Sequence, residues 1–424
     1  MNSEMKNYIL AIALSLGVII FWQTYFVKPQ QEQAATQQQQ VAPDSTQSGD
    51  SGVPQAPAAG TGAGVPQAAP GTSVVPGAAL GLPRDAVLDQ SSRVKIATPV
   101  LSGSINLKGA RLDDLRLKEY HETVDDSSPT IVLLSPAGST GAFFTEQGWV
   151  APTGQTVKLP GADTVWSTSG NTTLTPSAPV TLNWDNGEGL LFEQTFSIDD
   201  NYMVTVRQDI TNNTSSAVNV FPYARVQRIG IPQITGIYVL HEGLLSVLGE
   251  TLEELTYSDA QENGAEAYTS KSTGGWLGIT DKYWAAALIP DQKQEITGSL
   301  RHLTIANNDA FQADYLAAKP VSAAPGAKVS VESRVFAGAK KSYLIDSYQE
   351  QLGINNFELM IDWGWFYFIT KPLFKVLHYF NEMVGNFGIA ILIVTVLLKL
   401  LFYPLQNKSY ASMSKMKKLA PEME

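Results

Sequence analysis

The chain contains no cysteine. Disulfides, thiolate metal sites and a cysteine nucleophile are therefore excluded. The absence does not fix a compartment, because a periplasmic protein can simply lack disulfides. Histidine is scarce: His121, His241, His302 and His378 are scattered, and no two share ligand spacing. A histidine metal centre is not expected. Basic residues are outnumbered, 29 Lys plus Arg against 40 Asp plus Glu. That balance argues against a nucleic-acid binder, whose footprint is basic. No nucleophile elbow, P-loop, metal-ligand cluster or internal repeat is found, and nothing calls for a cofactor.

Acid is absent where it matters most. Asn386–Leu405 reads NFGIAILIVTVLLKLLFYPL, long enough for a bilayer, which needs about 20 mostly apolar residues. Lys399 sits inside this run with no Asp or Glu to neutralise it. A lysine at the centre of a membrane helix costs roughly 2.5–3.5 kcal/mol on insertion scales. At about 100° per residue, Gly388, Thr395, Lys399 and Gln406 fall on one narrow face. Such a stripe expects a polar surface opposite it. The competing reading is that Lys399 snorkels towards headgroups past Gln406 and Lys408.

Tyr8–Val27 is a second spanning candidate. A cleavable signal peptide competes with it, but the apolar core is long and no A-x-A-like site follows closely. Trp22, Tyr25 and Phe26 stand where an interfacial aromatic belt would be. It reads as an uncleaved anchor. Lys408, Lys415, Lys417 and Lys418 form a basic cluster after the later span, which should stay cytoplasmic. Two spans put both flanks on one side, so the region between them lies on the other, the periplasm of a Gram-negative cell.

Residues 28–84 are rich in Gln, Ala, Pro, Gly and Ser. They cannot bury enough apolar surface to offset chain entropy. This is a tether, with a reach of roughly 40 Å as a flexible coil. Across 85–340 the texture changes to short alternating runs broken by Gly, Asn, Asp and Pro, which predict a large antiparallel β-sandwich. Ser104–Leu117 alternates around Gly109, Met203–Ile210 alternates up to a turn cluster at Asn212–Ser215, and Lys328–Phe336 alternates again. One helix is expected around His241–Leu255. Asp113-Asp114, Asp125-Asp126 and Asp199-Asp200 read as solvated turn carboxylates. An enzymatic sandwich stays open without a residue pattern to support it.

Residues 341–384 are read as a connector and an amphipathic helix. Trp363, Trp365, Phe366, Tyr367 and Phe368 cluster, then Thr370 can cap a helix with Pro372 in its first turn. Lys371, Lys375, His378 and Glu382 share one face, while Ile369, Leu373, Val376, Leu377, Phe380 and Met383 cover the rest. A polar stripe opposite an apolar face with tryptophan nearby describes a helix lying in the membrane interface. The alternative is an ordinary amphipathic helix packed on the sandwich. Residues 406–424 begin a cationic amphipathic segment. A striped helix with one companion span has too little protein around it, so the chain is expected to be the N-terminal part of a longer protein.

The run from Asp362 to Met423, DWGWFYFITKPLFKVLHYFNEMVGNFGIAILIVTVLLKLLFYPLQNKSYASMSKMKKLAPEM, resembles the YidC/Oxa/Alb family of membrane-protein insertases in its Gram-negative form. More loosely the resemblance extends over the whole chain, including GGWLGITDKYWAAALIP (Gly274–Pro290). It implies residues 1–7 in the cytoplasm, a span at 8–27, the tether, and a periplasmic β-super-sandwich similar to sugar mutarotases. It further implies a helix flat on the periplasmic interface, a span at 386–405, and the start of a cytoplasmic helical hairpin at 406–424. The second span of the family carries a basic residue in a hydrophilic groove that receives polar segments of nascent inner-membrane proteins. By its place before Phe402-Tyr403-Pro404-Leu405, that residue is Lys399. Many relatives have arginine there, and lysine keeps the charge but not the planar donor fork. Implied partners are nascent chains, the lipid bilayer, Sec translocon subunits and the ribosome. A membrane-tethered carbohydrate-binding or mutarotase-like protein is the alternative, and Lys399 separates the two, because a pure anchor has no reason to retain a striped cation.

Overall fold

The computed structural model describes residues 81–232, 240–264, 267–364 and 366–419. The expected first span, all but the last residues of the tether, and Trp365 lie outside the described residues. Within them, two sheets of eleven and nine strands face each other across one large apolar core, antiparallel but for the edge pair Arg93–Ala97 with Thr173–Leu174, which runs parallel. The alternating runs read from the sequence form its central strands. Met203–Asn212 pairs along Lys328–Ala339, with Met203 opposite Phe336 and Ile210 opposite Val329. One face of each strand is buried, so a one-residue slip would turn its core residues outward. Nothing needs to be added to fix this register.

Asn212 shows how a turn cluster becomes a joint between sheets. Met203–Asn212 belongs to the nine-stranded sheet and Val218–Ile229 to the eleven-stranded one. Asn212 is wholly buried between them. Its Oδ1 accepts from Thr214 N at 2.9 Å, and its Nδ2 donates to Ser216 O and Ala323 O, both at 2.8 Å. Gly109 is more than a kink. With φ of +80° it makes the reversal between Leu101–Asn106 and Arg111–His121, which pair antiparallel.

Two expectations are corrected. His241–Leu255 is not helical: Gly243–Leu248 and Thr251–Thr256 are paired strands. Every residue of Gly243–Leu248 is buried, so the strand needs no polar face and loses the alternation that would have marked it. The helix follows instead at Tyr257–Asn263, started by a capping box between Thr256 and Asp259. The pair Asp113-Asp114 is not in a solvated turn either. Both lie buried within the strand Arg111–His121. Asp113 is bound by Arg93 and Asp114 by Arg84, and Ser104 Oγ donates to Asp114 at 2.5 Å. Burial raises the Asp113 carboxyl above its usual range, against the pull of Arg93. Asp125 does sit in an exposed turn, where its Oδ1 accepts from Ser127 N at 2.9 Å.

Buried charges also meet across neighbouring strands of the eleven-stranded sheet. Glu146 accepts from Arg111 Nε at 2.6 Å, Arg225 at 3.1 Å and the Tyr223 hydroxyl at 2.8 Å. Both guanidiniums also lie over the Phe144 ring. Gly148 permits this arrangement, because a Cβ there would come within 2.7 Å of the Tyr223 ring. Burial pushes the Glu146 carboxyl up, but Arg225 and Arg111 outweigh it and hold its pKa at about 2. The sandwich neutralises its buried charge locally.

Candidate membrane-insertion site

After the last strand the chain becomes helical, and we label three helices in chain order: α1 (Ser342–Leu352), α2 (Tyr367–Val384) and α3 (Phe387–Leu419). The first belongs to the sandwich. Leu344, Ile345 and Tyr348 are buried on it, and the Tyr348 hydroxyl donates to Asp199 Oδ2 at 2.5 Å. Gly353 ends α1 in the left-handed conformation, φ +63°, as a glycine after a helix commonly does. The short 3-10 turn Phe357–Met360 then buries Phe357 against Trp276, whose indole N–H donates to Asn355 O at 3.2 Å.

The second helix begins earlier than expected. It starts at Tyr367 without a side-chain cap, and Thr370 lies inside it. The Thr370 hydroxyl donates backwards to Trp363 O at 2.8 Å and Phe366 O at 3.2 Å, so it is not the capping residue. Aromatic residues ahead of Thr370 enter the helix because Gly364, at φ +69°, turns the chain there with its N–H held by Asp362 Oδ1 at 2.8 Å. Pro372 is tolerated within the helix at the loss of one backbone hydrogen bond.

Residues predicted to share a stripe on α2 do so, and the stripe looks at protein. Lys371 Nζ lies 3.0 Å from Asp346 Oδ1 and Lys375 Nζ 3.1 Å from Asp346 Oδ2. The His378 ring lies parallel to Tyr343 of α1, centroids 5.8 Å apart, and its Nε2 is 3.2 Å from Glu382. Trp363 packs edge-on against Phe374. Meanwhile Phe366, Tyr367, Phe368, Ile369, Val376, Tyr379 and Met383 are exposed, Tyr379 at 64%. A helix docked on a soluble protein buries its apolar stripe; α2 turns its apolar stripe out.

Gly385, at φ +71°, closes α2 with its N–H on Asn381 O, and the Asn386 side chain accepts from Ile389 N at 3.2 Å to start α3. Over Phe387–Met413, α3 is long and apolar enough to cross a membrane. Its contact with α2 is on one side, where Ala390 and Val394 are buried. Lys399 lies about 180° around the helix from Ala390 at roughly 100° per residue, and Gly388, Thr395 and Gln406 lie within about 40° of it. Gly388, Thr395, Lys399 and Gln406 are all exposed, while Ala390 and Val394 are buried. The Lys399 side chain is exposed, with no ion pair among the described residues. Thr395 is partly spent, since its hydroxyl donates to Ile391 O at 2.7 Å. Among the described residues no group of His, Cys, Asp and Glu could hold a metal ion.

Asp346 and Tyr343 were not foreseen. The sequence reading leaves 342–352 as connector, so the helix α1 with Leu344, Ile345 and Tyr348 buried is itself an addition of the structure, and no local signal ties Asp346 to lysines in the next helix.

A large two-sheet β-sandwich, tied through an amphipathic helix to a helix fit to span a bilayer and carrying a polar stripe, defines a membrane-associated class of protein. The chain matches the YidC periplasmic domain family over residues 93–376 and the 60Kd inner membrane protein family over residues 379–424. It is 44% identical to the membrane protein insertase YidC of Bradyrhizobium diazoefficiens, over 100% of this chain and 70% of that protein. Identity is 49% to the YidC of Methylobacterium nodulans (100% and 69%) and 47% to that of Rhizobium meliloti (99% and 68%). Among solved structures, a putative aldose 1-epimerase from Escherichia coli is similar at a TM-score of 0.38 and 10% identity, covering 58% of this chain and 98% of that one. A galactose mutarotase-like protein from Lactobacillus casei gives 0.35 and 12%, covering 58% and 100%. The chain belongs to the YidC family of membrane protein insertases.

Proposed function

We propose that this insertase works through the polar stripe of α3, with Lys399 as the groove cation and Thr395 and Gln406 beside it. The observation that carries this reading is the placement of Lys399 opposite the α2 contact, exposed and without an ion pair among the described residues. A cation and amide groups in a wet groove lower the cost of bringing polar flanks of a nascent inner-membrane protein part-way into the bilayer. Apolar faces of α3 on either side let the hydrophobic part pass into lipid. No bond is made or broken in such a step, so the reading is of a chaperone-like inserter and not an enzyme, needing no cofactor.

In this reading residues 85–340 lie in the periplasm, joined by the tether of 28–84 to a span at 8–27. The exposed apolar face of α2 rests in the periplasmic membrane interface, and Trp363 and Trp365 precede it in the sequence as the tryptophans of that interfacial segment. The span at 386–405 crosses to the cytoplasm, where 406–424 begin the hairpin and the flank 1–7 also lies. Lys371, Lys375 and His378 then serve the helix from its water side. Sec translocon subunits and the ribosome are the partners that fit such a task.

The test is Lys399→Ala in the full-length protein, with insertion of a small single-span substrate bearing an acidic periplasmic tail as readout. A defect is expected, with Lys399→Arg tolerated. Normal insertion by the alanine variant would remove the groove role from this residue.

A further inference from the structure

We infer that α1 is a docking foot through which the β-sandwich holds the amphipathic helix α2, and that Asp346 is the positioning residue of that dock. The proposal rests on the insertase reading for its functional half and on geometry for the rest. Each oxygen of the Asp346 carboxylate takes one lysine, Lys371 at 3.0 Å and Lys375 at 3.1 Å, from successive turns of α2. One turn further on, His378 lies flat between Tyr343 of α1 and Phe374 of its own helix, at 5.8 and 6.5 Å. The contact therefore runs along three turns and fixes both the rotation and the height of α2.

The foot is itself immobilised. Ile345 is wholly buried, Tyr348 is held by Asp199 and by the Tyr202 N–H at 3.2 Å, and Lys341 beside the first turn of α1 reaches Glu119 at 2.6 Å. Beyond it, Asp362 Oδ2 accepts from His241 N at 3.1 Å, pinning the connector just before α2. Lysines on an interfacial helix ordinarily reach for lipid phosphates. Here the same two lysines are taken by a carboxylate of the water-side domain. With its polar stripe occupied, α2 has only its apolar stripe left to turn outward. The buried Ala390 and Val394 then transfer that rotation to α3, which sets where the stripe of Lys399 points. A loosened dock would leave the sandwich folded while freeing α2 and α3 to roll.

The experiment uses the full-length protein in a cysteine-free background, reconstituted in lipid vesicles, with spin labels at Glu350→Cys on α1 and Tyr379→Cys on α2. A single narrow distance is expected, and Asp346→Asn should broaden it and lower substrate insertion several-fold. Thermal unfolding of the sandwich should stay unchanged, because Asp346 lies outside the core. Asp346→Lys combined with Lys371→Glu and Lys375→Glu should restore both distance and insertion. An unchanged distance distribution in Asp346→Asn would overturn the dock. A broadened distribution with unimpaired insertion, or a triple variant that recovers distance without insertion, would overturn its functional role. Lys399→Ala separates the two ideas: it should lower insertion while leaving the distance narrow, and if it inserts normally the groove reading falls while the distances still judge the dock.

Discussion

Glu146 in the sandwich and Lys399 in α3 are both charges placed in apolar surroundings, and they are handled in opposite ways. Glu146 is buried and receives two guanidiniums and a hydroxyl. Lys399 is exposed and has no ion pair among the described residues. A charge that serves folding is neutralised by its own domain, because an unpaired buried ion costs several kcal/mol. A charge left open on a spanning helix must be satisfied by something that comes to it. The contrast is between a charge paired by its own domain and one with no partner among the described residues; on the proposed reading the second awaits a substrate.

That contrast can be broken at either end. Glu146→Ala takes the buried carboxylate from Arg111 and removes one partner of Arg225, and breaking a buried pair in this way should cost about 3–5 kcal/mol, read as a lowered unfolding midpoint of the sandwich. Lys399→Leu should do the reverse, favouring insertion of α3 by roughly 2.5–3.5 kcal/mol on insertion scales while depressing insertion of substrate. If it improved both, the cation would be a defect and not a device. Acid tests the Glu146 site without mutation. Its folded pKa of about 2 is depressed from 4.5. The stability it contributes is present above pH 4.5 and is lost as pH falls towards 2. A pH series of thermal unfolding should show that loss, and Glu146→Gln should flatten it. The smallest effect is expected at Thr395→Val. Its hydroxyl already bonds Ile391 O, so substrate insertion should change by no more than about twofold; a larger loss would make Thr395 a direct contact.

How much was legible in the sequence follows from how far apart the partners are. Strands such as Met203–Asn212 announce themselves because one face meets the core and the other does not. Gly243–Leu248, buried throughout, carries no such alternation, and its leucines imitate a helix. Asp113 and Asp114 look like turn residues because aspartate favours turns, while their partners Arg93 and Arg84 lie on other segments. The two polar stripes were readable from spacing alone, since helical periodicity places them whatever surrounds the helix. What each stripe faces was not readable. The spacing leaves an interfacial helix and a helix packed on the sandwich both open, and Lys371, Lys375 and His378 turn to Asp346 and Tyr343 of α1, partners that no local pattern names.

The unbroken run of α3 has a mechanical consequence. From Phe387 to Leu419 it is one helix of 33 residues, about 50 Å at 1.5 Å per residue, against a hydrocarbon layer of about 30 Å. Such a rod overhangs the layer, so a small tilt where it leaves α2 sweeps its far tip through a larger arc. Pro404 is the one rung missing its backbone N–H. It is the natural elbow at which leverage from one side could be softened before it reaches the other.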